Sequence, residues 1–211
     1  MQLAFMDAEF NIIRYFKYIN LQWFRRYYEP GEFSVQLPAD EYDANAVYVF
    51  TKDRPELGLL QKRRYADGYD GKVVELSGYF YEYKLNDKIT YPRFNASGNI
   101  ETLARAIVST YKEDIPILSL GPANDPLLGD YTTKESTGEG LASVLYELLK
   151  TQELSLRCVY DYTANTMSFI VWKGLDRTQT RKAPRISSTR NTLSLLFRYA
   201  AAAVASAPTE G

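Results

Sequence analysis

The stretch from Glu29 to Pro38 places the tightest constraint on how this chain folds. Pro30-Gly31 couples a residue of fixed φ to one of free φ, which is a turn signal. Beyond it Phe33, Val35 and Leu37 alternate with Ser34 and Gln36, the two-residue period of a half-buried strand, and Pro38 ends the run. A strand with one apolar face has to pair and pack, so this segment demands a β-rich surrounding.

The flanking sequence supplies the partners. Short strands are predicted at Leu3 to Met6 and, after an Asp7-Ala8-Glu9 turn, through Ile12, Ile13, Tyr15 and Phe16. An aromatic run from Leu21 to Tyr28 leads into the Glu29-Pro30-Gly31 turn, and Val47, Val49 and Phe50 open a further strand. Leu57 to Tyr65 and Val73, Val74 and Leu76 flank the Asp67-Gly68 and Asp70-Gly71 pairs, which mark a hairpin. Many short strands at this spacing predict a small barrel or sandwich.

After Lys88 the period changes. Ile100, Leu103, Ala104, Ile107, Val108 and Tyr111 recur at helical spacing behind Asn99, a candidate N-cap, and Leu141, Val144, Leu145, Leu148 and Leu149 form a second stripe. A long loop through Pro116, Gly121, Pro122, Pro126 and Gly129 separates them. Leu154 to Tyr162 and Thr166 to Lys173 read as a hairpin, with Leu156, Cys158, Tyr160 and Tyr162 on one face. The expected organisation is thus a β-rich α+β chain: a barrel-like domain over 1–88, an α+β domain of two helices and a hairpin over 89–190, and an alanine-rich tail over 191–211.

Composition limits the chemistry. The 211 residues include no histidine, which removes the commonest general base, the commonest metal ligand and every Ser-His or Cys-His pair. Net charge is -1, so there is no basic field to draw nucleic acid. One cysteine, Cys158, permits no internal disulfide, and its apolar strand neighbours point to a structural role. The N-terminus turns acidic at Asp7, too early for a signal peptide, and no apolar run approaches a membrane span. A soluble protein made in a bacterial cytoplasm is expected. Eighteen tyrosines suit strands and interfaces, where the ring buries area and the hydroxyl finds a partner.

Each candidate site has a plainer explanation. Gly138-Glu139-Gly140 lacks the remainder of a phosphate loop and fits a helix-start turn. Asp67 and Asp70 lack the acidic ladder of a calcium loop. Glu29, Glu32, Asp40, Glu41 and Asp43 could supply a glycosidase-like carboxylate pair, but exposed turn carboxylates are the ordinary case. Asn95-Ala96-Ser97 matches a glycosylation acceptor, which means little in a chain expected to be cytoplasmic. Lys62-Arg63-Arg64 and the basic run from Lys173 to Arg190 fit solvated strand ends or an interaction surface. No catalytic, cofactor-binding or metal residues emerge, and no cofactor is expected.

The run from Trp23 through Arg26, Tyr27, Tyr28, Pro30, Gly31, Phe33 and Leu37 to Pro38 resembles the opening signature of the siphophage ReqiPepy-type tail proteins, with Val35 in place of a leucine. Val74 to Gly78, the helices at Ile100 and Leu141, and Gly174-Leu175-Asp176-Arg177-Thr178 follow the same family order. The resemblance implies a fold like phage baseplate hub proteins, in which a β-barrel receives an inserted α+β domain. It also implies a structural part of the virion tail tip, assembled in the host cytoplasm as a threefold homo-oligomer among distal-tail, tube and tip proteins, with no catalytic residues. Hub proteins continue further, so Leu195, Leu196, Phe197 and the alanine run lead us to expect a prophage copy truncated or frame-shifted after about Arg190. Two alternatives stay open: a carbohydrate- or receptor-binding module, which needs exposed coplanar aromatics, and the non-catalytic part of a tail-associated cell-wall hydrolase.

Overall fold

The β period of the first 80 residues is realised as one antiparallel sheet. In the computed structural model, which describes residues 1–68, 71–123 and 129–174, its strands are β1 (Leu3–Met6), β2 (Ile12–Phe16), β3 (Asn20–Phe24), β4 (Glu32–Pro38), β5 (Tyr48–Phe50), β6 (Gly58–Gly68) and β7 (Gly71–Phe80). Their order is β2-β1-β5-β6-β7-β4-β3. The expected hairpin is present, with Gly68 opposite Gly71 and Asp67 opposite Lys72. Asp70 lies outside the described residues.

Alternation decides what each face does. Phe33, Val35 and Leu37 are buried while Glu32, Ser34 and Gln36 point the other way. Side chains from all seven strands meet in one cluster: Leu3 and Phe5, Phe16, Leu21 and Trp23, Phe33 and Val35, Val49, Leu60, and Val74 and Leu76. Strands near opposite ends of the order can share a core only if the sheet curls, so Phe5 stacks on Phe16 at 4.0 Å while sharing its cluster with Val35. Among the described residues no ladder joins β2 to β3. The barrel expected from the strand count is therefore seen as a curled, open sheet.

The reverse face of β1, β5 and β6 carries Ala4, Met6, Tyr48, Phe50 and Leu59, and these pack into a second core with the helical part. That part begins with a 3-10 segment, Tyr81–Asp87, and continues through β8 (Phe94–Asn99), α1 (Ile100–Tyr111), β9 (Leu118–Leu120), β10 (Tyr131–Ser136), α2 (Leu141–Lys150), β11 (Leu154–Asp161) and β12 (Thr166–Lys173). Both helices bury the stripes their period predicts, including Leu103, Ile107, Leu145 and Leu149. Among the described residues β8 pairs only with β10, and β9 joins the β11–β12 hairpin by pairing parallel to β12. Residues Met1–Gly174 form one compact unit.

Three local expectations need adjustment. Asn99 does precede α1, but its side chain caps nothing; Nδ2 donates to the Gly129 carbonyl at 3.1 Å, because pairing of Asn99 with Tyr131 brings Gly129 alongside. The aromatic run to Tyr28 leaves the sheet at Phe24, since Tyr27 and Tyr28 turn toward the helical part. Tyr162 falls beyond β11 and is 43% exposed, whereas Leu156, Cys158 and Tyr160 share the buried face as expected.

Candidate interaction surface

The signature run divides its side chains among three tasks. Trp23 packs on Phe33 and Phe80, with ring centroids 5.5 and 4.8 Å away. Arg26 lies between two carboxylates, 3.1 Å from Glu29 and 2.7 Å from Glu32, and its ionised form is favoured chiefly by the hydrogen bond to Glu32. Tyr27 reaches across to the helical part. Its hydroxyl donates to the Glu153 carbonyl and accepts from the Gly174 amide, its ring sits edge-on to Trp172, and its carbonyl accepts from the Ser155 hydroxyl. Lys150 covers the ring of Tyr28.

The glycines explain the spacing. Gly31 lies under the Phe80 ring, and a Cβ there would stand 2.3 Å from it. Gly78 faces Phe33 across the ladder, and a Cβ there would stand 1.9 Å from the Leu59 carbonyl oxygen. Pro30 forms part of the turn, while Leu37 and Pro38 close β4, with Leu37 fully buried. Asp176 and Arg177 lie outside the described residues, as do the basic run beyond Gly174 and the alanine-rich segment.

Beneath this run sits a group that no spacing announced. Glu82, in the 3-10 segment, is buried, accepts from the Cys158 amide at 3.0 Å through Oε1, and has no partner for Oε2. Burial, aided by nearby Glu56, pushes its carboxyl up from 4.5 to about 7, against the pull of the Cys158 amide and Arg25. Glu56 is itself buried and ion-paired to Arg25, with the Trp23 indole 3.4 Å away. A lone carboxylate among Tyr81, Tyr83 and their neighbours reads as solvent-facing in sequence, so only the fold reveals it. Cys158 is also buried, and desolvation holds its thiol protonated.

The other acidic candidates scatter. Glu41 pairs with Arg14 at 2.7 Å, the Asp40 carbonyl accepts from Arg14, and Asp43 accepts from the Asn45 amide. Asp67 lies one residue before the end of β6, opposite Lys72 in the hairpin. Gly138 to Gly140 form the turn that starts α2, bound to Thr90 through two backbone hydrogen bonds and through the Glu139 amide, which donates to the Thr90 hydroxyl. Among the described residues no cluster of metal-ligating side chains forms, and no helix is long and apolar enough to cross a membrane.

The outward face of β3, β4 and β7 remains uncovered by the chain's described residues. Register places Phe24, Glu32 and Tyr79 in one row and Gln22, Ser34, Ser77 and Lys62 in the next. Phe24 is 52% exposed and Tyr79 36%. Tyr79 stacks on Tyr83 at 4.5 Å with the rings within 7° of parallel. Two hollows, of about 210 and 290 Å³, meet at Glu32 and Tyr79.

Fold comparison places this architecture among phage tail proteins. A prophage tail protein, gp18, from Listeria monocytogenes EGD-e superposes with TM-score 0.57 at 12% identity, over 81% of this chain and 50% of its own. A tail protein from Neisseria meningitidis MC58 gives 0.55 at 15% identity, over 87% and 56%. The 43 kDa tail protein of prophage MuSo2 from Shewanella oneidensis gives 0.52 at 13% identity, over 83% and 56%. The chain thus spans about half the length of these solved structures. No curated protein matches it in sequence. The family model for the Siphovirus ReqiPepy6 Gp37-like protein matches residues 3–207, so the chain belongs to that family of siphovirus tail proteins.

Proposed function

We propose that the chain is a structural component of a siphovirus or prophage tail tip, a hub subunit that joins the tail tube to the tip through protein contacts and without turnover. It would self-associate, as a trimer in the assembled tail, and meet distal-tail, tube and tip proteins in a virion assembled in the host cytoplasm. In this proposal the curled sheet of 1–88 forms the ring-building part, and 89–190 the part that faces other tail components.

The observation that carries the reading is the open sheet within a tail-protein family. Strands β2 and β3 each end the sheet order with one unpaired edge among the described residues. Such edges present free N–H and C=O groups and are satisfied when a neighbouring chain adds a strand. Light scattering on the purified chain over a range of concentrations tests it. A mass of three chains, or a concentration-dependent rise toward it, is expected. A strict monomer at every concentration, with no association to neighbouring tail proteins, would remove the hub assignment.

A further inference from the structure

We propose that the outward face of β3, β4 and β7 is a binding site for a neutral carbohydrate chain, a function additional to assembly. The site combines what sugar recognition needs. A pyranose offers an apolar C–H face and a rim of hydroxyls, so it binds where an aromatic ring lies open beside fixed polar groups.

Tyr79 is the platform. Its stacking on Tyr83 orients the ring, which stays 36% exposed and borders both hollows. Phe24 stands in the same cross-strand row with Glu32 between them, so the two aromatics lie about two strand spacings apart, roughly 10 Å. Between and beside them hydrogen-bonding side chains are interspersed with apolar surface. Gln22, Ser34 and Ser77 border one hollow, while Arg26, Glu32 and Asn86 border the other. Because the hollows share Glu32 and Tyr79, they form one trough that an extended chain can follow.

Charge selects the ligand class. Arg26 is shared by Glu29 and Glu32, and Lys62 is the other cation in the trough, so acids and bases balance. An anionic polymer such as nucleic acid would meet two carboxylates without a surplus of cations to release its counterions. A neutral glycan meets an Arg–Glu pair able to donate and accept at once.

A binding titration of the full chain against chitotetraose and maltohexaose, with polygalacturonate as the acidic comparison, tests the proposal. Saturable binding of at least one neutral oligosaccharide at millimolar concentration is expected, and none of the acidic polymer. Tyr79→Ala should weaken it by about tenfold or more. Tyr79→Phe, which keeps the ring, should retain it, and Tyr65→Ala, which removes an exposed ring elsewhere on the sheet, should leave it unchanged. Unaltered tryptophan fluorescence confirms that each variant is folded. No binding of either neutral probe, preference for polygalacturonate, or affinity indifferent to Tyr79→Ala would overturn the proposal. So would self-association that Tyr79→Ala abolishes, which would make this face a protein contact. Presence or absence of sugar binding does not bear on self-association, so the hub reading is judged separately by mass.

Discussion

The hydroxyl of Tyr27 donates to the carbonyl of Glu153 at 2.7 Å, across 126 positions of sequence. It also accepts from Gly174 at 2.8 Å, so one phenol joins the link after β3, the turn after α2 and the end of β12. Its ring meets Trp172 and its carbonyl meets Ser155. The sheet and the helical part share a core, and Tyr27 ties them at a second place.

Tyr27→Phe keeps the ring against Trp172 but leaves the Glu153 carbonyl and Gly174 amide without this partner. At a half-buried site the expected cost is about 1 kcal/mol. Tyr27→Ala should cost about twice that, because the ring contact goes as well. Urea denaturation checks both: the midpoint should fall with the slope unchanged.

Period made most of the fold legible. β4, the β6–β7 hairpin, both helices and the β11–β12 hairpin each bury one regular face, and that face is written as alternation or as a helical stripe. β8 and β10 are not legible in the sequence because Phe94–Asn99 and Tyr131–Ser136 are largely polar segments that pair with each other and bury little. β9 is three residues long and exists only because β12 lies beside it. The signature run was visible as a motif, yet Tyr27's reach and the trough beside Tyr79 depend on register between distant strands, which local sequence does not encode.

Glu82 predicts a particular pH dependence. Its carboxyl titrates near 4.5 in the unfolded chain and near 7 when buried. Below both values each state holds the proton and the residue does not oppose folding. As pH rises from about 4.5 to 7 the unfolded chain releases its proton while the folded one keeps it, so stability falls across that window and then levels. The full difference is on the order of 3 kcal/mol. Glu82→Gln retains an acceptor for the Cys158 amide and cannot ionise. Its denaturation midpoint, compared with the parent from pH 4 to 8, should gain relative stability as pH rises from about 4.5 to 7. A constant difference would show that the carboxyl titrates normally.

The helical layer should be as sensitive as any tight core. Leu145 in α2 is fully buried, in a cluster with Leu103 of α1. Leu145→Ala removes transferred apolar atoms and leaves a cavity, at a cost of about 2–5 kcal/mol. Glu147→Ala, on the exposed side of the same helix, should stay within about 0.5 kcal/mol. Thermal melts of the pair separate core packing from helix propensity, since both substitutions introduce the same residue into α2.

The two signature glycines should not be equally replaceable. At Gly78 an added Cβ would meet the Leu59 carbonyl, which is backbone of the neighbouring strand and is held by the β6–β7 ladder. Relief requires moving strands apart, so Gly78→Ala should cost more than about 3 kcal/mol or prevent folding. At Gly31 the nearest atoms belong to the Phe80 ring, which can rotate or shift, although the Phe24 carbonyl at 2.7 Å limits the relief. Gly31→Ala should therefore fold with a smaller loss, about 1–3 kcal/mol. Phe80 is part of the sheet's core, so replacing it with Leu beside Gly31→Ala should recover part of that loss, whereas no side-chain change can rescue Gly78→Ala. Melting temperatures of the single and double variants decide the point. Equal losses at the two glycines would mean that the ladder yields as readily as a ring.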